Sequence, residues 1–185
     1  MDARRALLSH LFDYAGMFPP AQLPLEEAIA EWRGLRASDD AWLLNRFAVR
    51  AGVDVDVEPL AVVEGQTERQ SDVVYIEGET KLRCGGARIP SADEVAQFVR
   101  RCRAEGRRFK ATAGLHHALP TDGEHGFLNL LAATAAPPGR LDAVLAEEDA
   151  AELDVAAGDR SLFTSFGSCS WREPVEDLVE LGLLS

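Results

Sequence analysis

The segment FKATAGLHH, residues 109–117, carries a lysine inside a strand-like run and ends in a glycine and two adjacent histidines. Burying an ammonium group without a partner is costly, so Lys110 either reaches solvent or lies in a pocket that uses its charge. A second ammonium nearby lowers the pKa of a lysine toward neutrality. Such an amine is a nucleophile toward a carbonyl group or a general base. We therefore expect a lysine-based site around this segment.

Strand alternation indicates which side chains share the face of Lys110. Successive side chains of a strand point to opposite faces. In the strand candidates 81–86 and 109–114 the polar positions lie opposite apolar ones, and in 72–78 Glu77 shares its face with Val73 and Tyr75. The predicted polar face collects five side chains: Glu77, Lys81, Arg83, Lys110 and Thr112. We expect this face to line the interior or the mouth of a barrel-like sheet.

Each predicted site residue has an expected role. Lys110 is the covalent or basic centre, with Lys81 as a neighbouring lysine, and Glu77 or His116 moves protons. Arg83 binds a carboxylate or phosphate through paired hydrogen bonds. The remaining predicted substrate-binding residues are Asp13, Thr112, His117, Asn129, Ser165, Gly167 and Ser168. We expect a small anionic metabolite as substrate, and neither a metal nor a cofactor.

Two of these groups belong to one end of the sheet. Parallel βα folds bind ligands at the carboxyl ends of their strands, where the histidine pair 116–117 is expected. The segment SFGSCS (165–170) precedes a predicted helix and resembles the small-residue turns whose backbone N–H groups hold anions. A loop for negative charge is therefore predicted beside the lysines.

The same residues also fit structural or different chemical roles. Lys81 and Lys110 can pair with Glu77 in an interior ion network, and the histidine pair 116–117 can cap a helix or face water. With His125 or Glu77 the pair can bind a metal, although the sequence has no HxH or HExxH spacing.

Two further positions have alternative interpretations. Cys169 is either a nucleophile activated at a helix terminus or a small buried thiol. Asp13 and Tyr14, in DYAGMFPP, either cover the site or belong to a structural proline-rich turn.

The predicted elements define an α/β chain with two different halves. From about 81 to 184 strands and helices alternate, which is typical of parallel βα units. Before that, six residues separate Gly65 from Asp72 and two separate Gly78 from Lys81, too few for a helical crossover. We therefore predict an antiparallel meander over about 42–84, and an incomplete TIM-barrel-like mixed sheet overall.

Two helices have clear local signals. Residues 25–36 are amphipathic and begin after Pro24. In residues 91–106, Ser91 and Glu94 form a predicted capping box and Gly106 a stop. We predict a single domain over residues 1–185, with the N-terminal helical segment 1–40 packed on the sheet.

Composition limits the classes of partner. The net charge is −12, from 19 Lys and Arg against 31 Asp and Glu, which argues against a nucleic acid or an anionic membrane surface. The three separated cysteines favour a reducing cytoplasm over a disulfide framework. No signal peptide or apolar run long enough to span a membrane is visible. We expect a cytoplasmic protein.

Four blocks resemble a known group when taken together: DYAGMFPP (13–20), KLRCGG (81–86), FKATAGLHH with HGFLNLL (109–117 and 125–131) and SFGSCSWREPVEDLVELGLL (165–184). They are similar to longer bacterial proteins of unassigned function whose architecture resembles a (β/α)₈ barrel. The resemblance implies an abridged barrel, because residues 50–81 are too few to hold the helices that separate the early strands there. Such an abridgement exposes sheet edges, and a homodimer is expected.

A shorter resemblance concerns Lys110 itself. The string KATAG is similar to the K-x-[ST]-x-G run on the lysine strand of deoxyribose-phosphate aldolase-like barrels. It implies that Lys110 forms a Schiff base with a carbonyl substrate.

Three functions are consistent with the sequence. The first is a lysine-based lyase or aldolase-like enzyme acting on an anionic carbonyl compound. The second is a metal-dependent hydrolase or lyase that uses the histidine pair and a carboxylate. The third is a non-catalytic binding or structural module that has lost the chemistry of a barrel enzyme.

Overall fold

The computed structural model describes residues 3–50, 53–57, 60–63, 73–76 and 79–184. The strands are β1 (Phe12–Tyr14), β2 (Leu44–Arg50), β3 (Leu60–Val63), β4 (Val73–Ile76), β5 (Glu79–Arg83), β6 (Phe109–Thr112) and β7 (Phe163–Ser168). The α-helices are α1 (Ala3–Leu8), α2 (Leu25–Arg36), α3 (Ala92–Glu105), α4 (Phe127–Ala133), α5 (Leu141–Leu145) and α6 (Arg172–Glu180). Short 3₁₀ turns lie at Ala41–Leu43, Pro138–Arg140, Ala150–Glu152 and Val155–Ala157.

The strands form one sheet in the order β3-β2-β1-β7-β6-β5-β4. Every pairing in it is parallel except that between β4 and β5. A flat sheet of this size would hold its edges roughly 29 Å apart, yet Cα atoms of the edge strands β3 and β4 come within 8 Å. The sheet is therefore strongly curled. No ladder joins the two edges in the part of the chain that the structure describes, so the barrel is not closed.

The alternating second half is confirmed as parallel βα units. The chain passes from β5 through α3 to β6, through α4 and α5 to β7, and then into α6. The capping box of α3 is present: Glu94 N–H donates to Ser91 Oγ at 3.3 Å, and Ser91 N–H donates to Glu94 Oε2 at 2.8 Å. Gly106 ends the helix in the left-handed conformation.

The predicted antiparallel meander over 42–84 is wrong. Strands β2 and β3 pair in parallel, with Phe47 opposite Leu60 and Arg50 opposite Val63, and β3 and β4 lie at opposite edges of the sheet. The link 51–59 can reach roughly 30 Å when extended, which exceeds the length of β3, and its described residues 53–57 are not helical. Among the described strands, β4 and β5 pair antiparallel, and residues 77–78 lie between them in the chain.

Strand β1 is the element that the sequence did not predict. The segment DYAGMFPP predicts a turn or a cover, but Phe12–Tyr14 form a buried strand between β2 and β7. Alternation is not detectable in three residues. Consequently, the middle of the sheet comes from the N-terminal segment.

Helix α2 covers the β1–β2 side of the sheet. Its buried Trp32 packs edge-on against Phe47, with ring centroids 5.8 Å apart, and lies next to Tyr14. No helix in the described ranges is long and apolar enough to cross a membrane.

Candidate functional site

The strand register brings the two lysines side by side. Lys81 on β5 lies opposite Lys110 on β6, and Lys110 lies opposite Ser165 on β7. Partners in register on parallel strands share a face, which is the arrangement that alternation predicts. Of the 19 Lys and Arg residues in the chain, these two alone are lysine.

A second row of side chains follows two residues nearer the carboxyl ends of the strands. Arg83 lies opposite Thr112, Thr112 opposite Gly167, and Gly167 opposite Asp13. Because Arg83 and Thr112 are two positions beyond the lysines on their strands, this row projects from the same face. The two rows together form the candidate site.

Asp13 is the centre of the hydrogen-bond network. Its carboxylate accepts from Asn45 at 2.9 Å, from Arg46 Nε and Nη2 at 3.2 and 3.1 Å, and from Ser165 Oγ at 2.8 Å. Lys110 Nζ also donates to Asp13 Oδ2. We call Asp13, Asn45, Arg46, Lys110 and Ser165 the inner cluster.

Burial makes the charges of the inner cluster interdependent. The side chains of Asp13 and Lys110 are 0% and 1% exposed, and that of Arg46 is 20% exposed. Burial by itself would raise the pKa of Asp13, but the adjacent Lys110 and Arg46 outweigh it and hold that pKa below its ordinary value. Asp13 is therefore ionised at neutral pH and compensates the buried cations.

Lys81 differs from Lys110 in exposure and in partners. It is half-buried, whereas Lys110 is enclosed and ion-paired. Burial lowers the pKa of Lys81 to about 8, and repulsion from Lys110 and Arg83 contributes. A partly neutral amine thus stands beside a fixed cation.

The row nearer the carboxyl ends is closely packed around Gly167. A Cβ built on Gly167 would lie 3.8 Å from Thr112 Cγ2, 3.9 Å from Ala15 Cβ and 4.0 Å from Lys110 Cε, which are ordinary contacts. Thr112 Oγ1 is buried without a hydrogen-bond partner among the described residues. A position with room for about one methyl group and an unsatisfied hydroxyl therefore lie next to Lys110.

Two glycines let β5 and β6 approach each other beyond their last residues. Gly114 has φ +62°, and a Cβ on it would lie 2.9 Å from Gly85 Cα. Both the conformation and the contact exclude a side chain. This accounts for the glycine that ends FKATAG.

The histidine pair faces helix α6. His116 Nδ1 lies 3.3 Å from Glu173 Oε2, and His117 Nδ1 lies 3.2 Å from Asp177 Oδ2. Asp177 also accepts the N–H of Ala118 at 2.7 Å. Each ring thus meets a separate carboxylate, and no group of three His, Cys, Asp or Glu residues suited to a metal occurs in the described ranges.

Three other predicted residues lie outside the lysine rows or outside the described residues. Asn129, on α4, donates to the carbonyl oxygens of Val144 and Glu147 at 2.8 and 2.7 Å, and so ties α4 to α5 and the turn after it. Ser168 Oγ donates to Ser170 O at 2.6 Å. Glu77 lies outside the described residues.

Cys169 is buried, and burial raises the pKa of its thiol, which favours the structural interpretation of this cysteine.

Sequence reasoning missed Asn45 and Arg46. It predicts a substrate-binding Asp13 in a cover or a proline-rich turn, whereas the structure places Asp13 in strand β1. Arg46 interrupts the apolar strand LNRFAVR just as Lys110 interrupts FKAT. The anomaly that identified Lys110 therefore also identifies Arg46. The scarcity of lysine in the chain is a second sequence signal that sets Lys81 and Lys110 apart from the other basic residues.

The fold and the site define an α/β protein built on a curled, open and mainly parallel sheet, with a lysine–carboxylate cluster on one face. The chain matches no protein-family model, no curated protein and no solved structure.

Proposed function

We propose that this chain is a small-molecule enzyme that acts on an anionic carbonyl compound through lysine chemistry. The observation that carries the proposal is that its two lysines are register partners beside a buried aspartate. Arginine stays protonated in proteins, whereas lysine can lose its proton when it is buried. The chain uses arginine at all its other Lys and Arg positions, and we take the two lysines as the exception that the reaction requires.

Lys81 is the amine that we assign to the reaction. With a pKa of about 8, about one Lys81 in ten is neutral at pH 7, compared with roughly one in three thousand for an ordinary lysine. Lys110 is enclosed and paired with Asp13, so it supplies a fixed positive charge. The resemblance of KATAG to aldolase-like strands implied the opposite assignment.

The reaction is attack on a carbonyl group. The neutral amine of Lys81 forms a C–N bond to the carbonyl carbon. The resulting carbinolamine takes up one proton and loses water, which gives an iminium ion that withdraws electrons from the adjacent bond. Arg83, which is exposed, attracts the carboxylate or phosphate of the substrate, and Thr112 Oγ1 offers an unused hydrogen bond. The remaining roles, with Glu77 or His116 moving protons, stay part of the proposal.

The finer architecture also belongs to the proposal. We interpret the curled sheet as an abridged (β/α)₈ barrel in a cytoplasmic homodimer. The close approach of β3 and β4 without a ladder supports the interpretation as an abridged barrel. Open sheet edges favour pairing with a strand of another chain, which supports the homodimer.

Borohydride trapping tests the reaction. The protein is incubated with pyruvate or with dihydroxyacetone phosphate, reduced with sodium borohydride, digested and analysed by peptide mass spectrometry. We expect an adduct on Lys81 that is absent in Lys81→Arg, which keeps the charge but cannot form an imine. An adduct on Lys110 would retain the reaction class and reverse the assignment. No adduct on either lysine would contradict the covalent reaction.

A second candidate function is a non-catalytic module. It is favoured by the saturation of Asp13, whose carboxylate accepts hydrogen bonds from four side chains, as a structural ion network requires. If the protein is such a module, Lys81→Arg and Lys81→Ala change its stability only. The unmodified protein then shows neither turnover nor a trapped adduct. Trapping in the unmodified protein separates the two candidates.

A further inference from the structure

Lys81 and Arg83 form a pair of cations on one face of β5. They are two positions apart in the strand, so their side chains project from the same face and their Cα atoms are roughly 7 Å apart. Arg83 Nε donates to Gly85 O at 2.9 Å. Within the described ranges, both Nη atoms of Arg83 and the Nζ atom of Lys81 have no hydrogen-bond partner, and no carboxylate pairs with either side chain.

The charged groups around this pair do not compensate it. Lys110 lies opposite Lys81 on β6, and Asp13 behind Lys110 already accepts hydrogen bonds from four side chains. On β4, the residue opposite Lys81 is Val74. The described groups that act electrostatically on Lys81 are Lys110 and Arg83, and both are cations. The pair is therefore a local excess of positive charge in a chain whose net charge is −12.

The two cations of the pair differ in exposure. Arg83 is exposed at the last position of β5, whereas Lys81 is half-buried. A cation that is partly withdrawn from water gains more from a counter-ion than an exposed one, because the lower local dielectric strengthens their attraction. An anion that reaches Arg83 from solvent thus meets a second cation that lacks a counter-charge.

We propose that Lys81 and Arg83 together bind a small inorganic oxyanion such as sulfate or phosphate, and that the bound anion keeps Lys81 protonated. The guanidinium group offers donors in a planar fork that suits oxyanions, and the ammonium group adds a point charge. A protonated amine has no lone pair with which to attack a carbonyl carbon. The oxyanion is therefore an inhibitor of the carbonyl reaction, a consequence that rests on the proposed function.

Binding of the anion and protonation of Lys81 are linked. An anion that prefers the protonated amine raises the pKa of Lys81 above about 8 and, reciprocally, binds more weakly as the pH rises past that value. If binding requires the protonated amine, the affinity at pH 9 should be about tenfold lower than at pH 7. Sulfate is the suitable probe, because its own charge does not change between these pH values.

Calorimetric titration of sodium sulfate into the full chain tests the site, at pH 7 and pH 9 and at an ionic strength matched with sodium chloride. We expect saturable binding that is about tenfold weaker at pH 9. Arg83→Gln should bind sulfate about tenfold more weakly at pH 7, because it loses a charge-assisted hydrogen bond. Arg33→Gln, which removes an exposed arginine of α2, is the charge-matched control and should bind normally. In Lys81→Arg, binding should persist without the dependence on pH.

A second readout follows the amine itself. The titration midpoint of Lys81 in nuclear magnetic resonance spectra should rise when sulfate is added and should not rise with chloride at the same ionic strength. Absence of saturable sulfate binding, equal weakening in Arg83→Gln and Arg33→Gln, or a midpoint that sulfate leaves unchanged would overturn the proposal.

These measurements separate the anion site from the carbonyl reaction. They need no carbonyl compound, so a failure of borohydride trapping leaves the predicted binding of sulfate and its dependence on pH in force. Where trapping succeeds, saturating sulfate should reduce the yield of the Lys81 adduct. An unchanged yield would overturn the inhibition and leave the carbonyl reaction in place.

Discussion

Replacing Asp13 by asparagine should be among the most destabilising single changes in the inner cluster. The substitution keeps the shape of the side chain but removes its charge, which leaves Lys110, 1% exposed, and Arg46, 20% exposed, without their common partner. Removing one member of a buried ion pair costs about 3–5 kcal/mol, because the remaining charge stays buried. We expect a loss of that size in the free energy of unfolding.

Lys110→Met is the matched comparison. Asp13 then keeps its hydrogen bonds from Asn45, Arg46 and Ser165. The expected loss is therefore smaller, about 1–3 kcal/mol. The double variant should lose less than the two single losses together, by about 1–3 kcal/mol, because the second change removes a charge that the first had left unpaired.

Urea unfolding measures these differences. With a slope of about 2–3 kcal/mol per molar urea, Asp13→Asn should lower the midpoint by about 1–2 M. The pH dependence provides a second readout: because the folded-state pKa of Asp13 lies below its ordinary 3.8, its contribution is present above that pH and is lost as pH falls further. Asp13→Asn should lack this acid-dependent loss. Additive single losses, or a smaller loss for Asp13→Asn than for Lys110→Met, would refute the reasoning.

Three further predictions concern stability. The folded-state pKa of Lys81 is lowered from 10.5 to about 8, so between these pH values the unfolded chain binds more protons than the folded one. The free energy of unfolding should therefore rise with pH across that window. This rise should be absent in Lys81→Met, and its persistence there would contradict the pKa assigned to Lys81. Ser91→Ala removes the capping box of α3 and should cost about 1 kcal/mol in urea unfolding, whereas an unchanged midpoint would mean that the cap contributes nothing. Gly114→Ala should cost more than Gly106→Ala, since both glycines have φ +62° but only Gly114 would meet backbone atoms within 3 Å; equal losses in thermal unfolding would contradict the close-approach argument.

The parts of the fold that local sequence determines were predictable. Helix α2 has the predicted bounds, and α3 has the predicted capping box and glycine stop. Alternation is a local property of each strand, so it also places Lys81 and Lys110 on the polar faces of β5 and β6. Their adjacency followed once those two strands paired in register.

The parts that depend on long-range pairing were not predictable. Lys110 and Asp13 are 97 positions apart, and nothing local to DYAGMFPP indicates a central strand. Strands β2 and β3 pair in parallel. The link between them is too short for a helical crossover, and a link of that length predicts an antiparallel pair instead. The inner cluster therefore could be anticipated as a charged interior, but its central carboxylate could not be identified.

The central claim is that Lys81 is a partly neutral amine at neutral pH because of where the fold places it. Nuclear magnetic resonance titration of the lysine side chains tests it directly, since the chain has only two lysines and Lys81→Arg assigns the signals. The Lys81 midpoint should lie near pH 8 and should rise in Lys110→Met, because that variant removes the neighbouring charge. A Lys81 midpoint at the ordinary lysine value of about 10.4, unchanged in Lys110→Met, would contradict it.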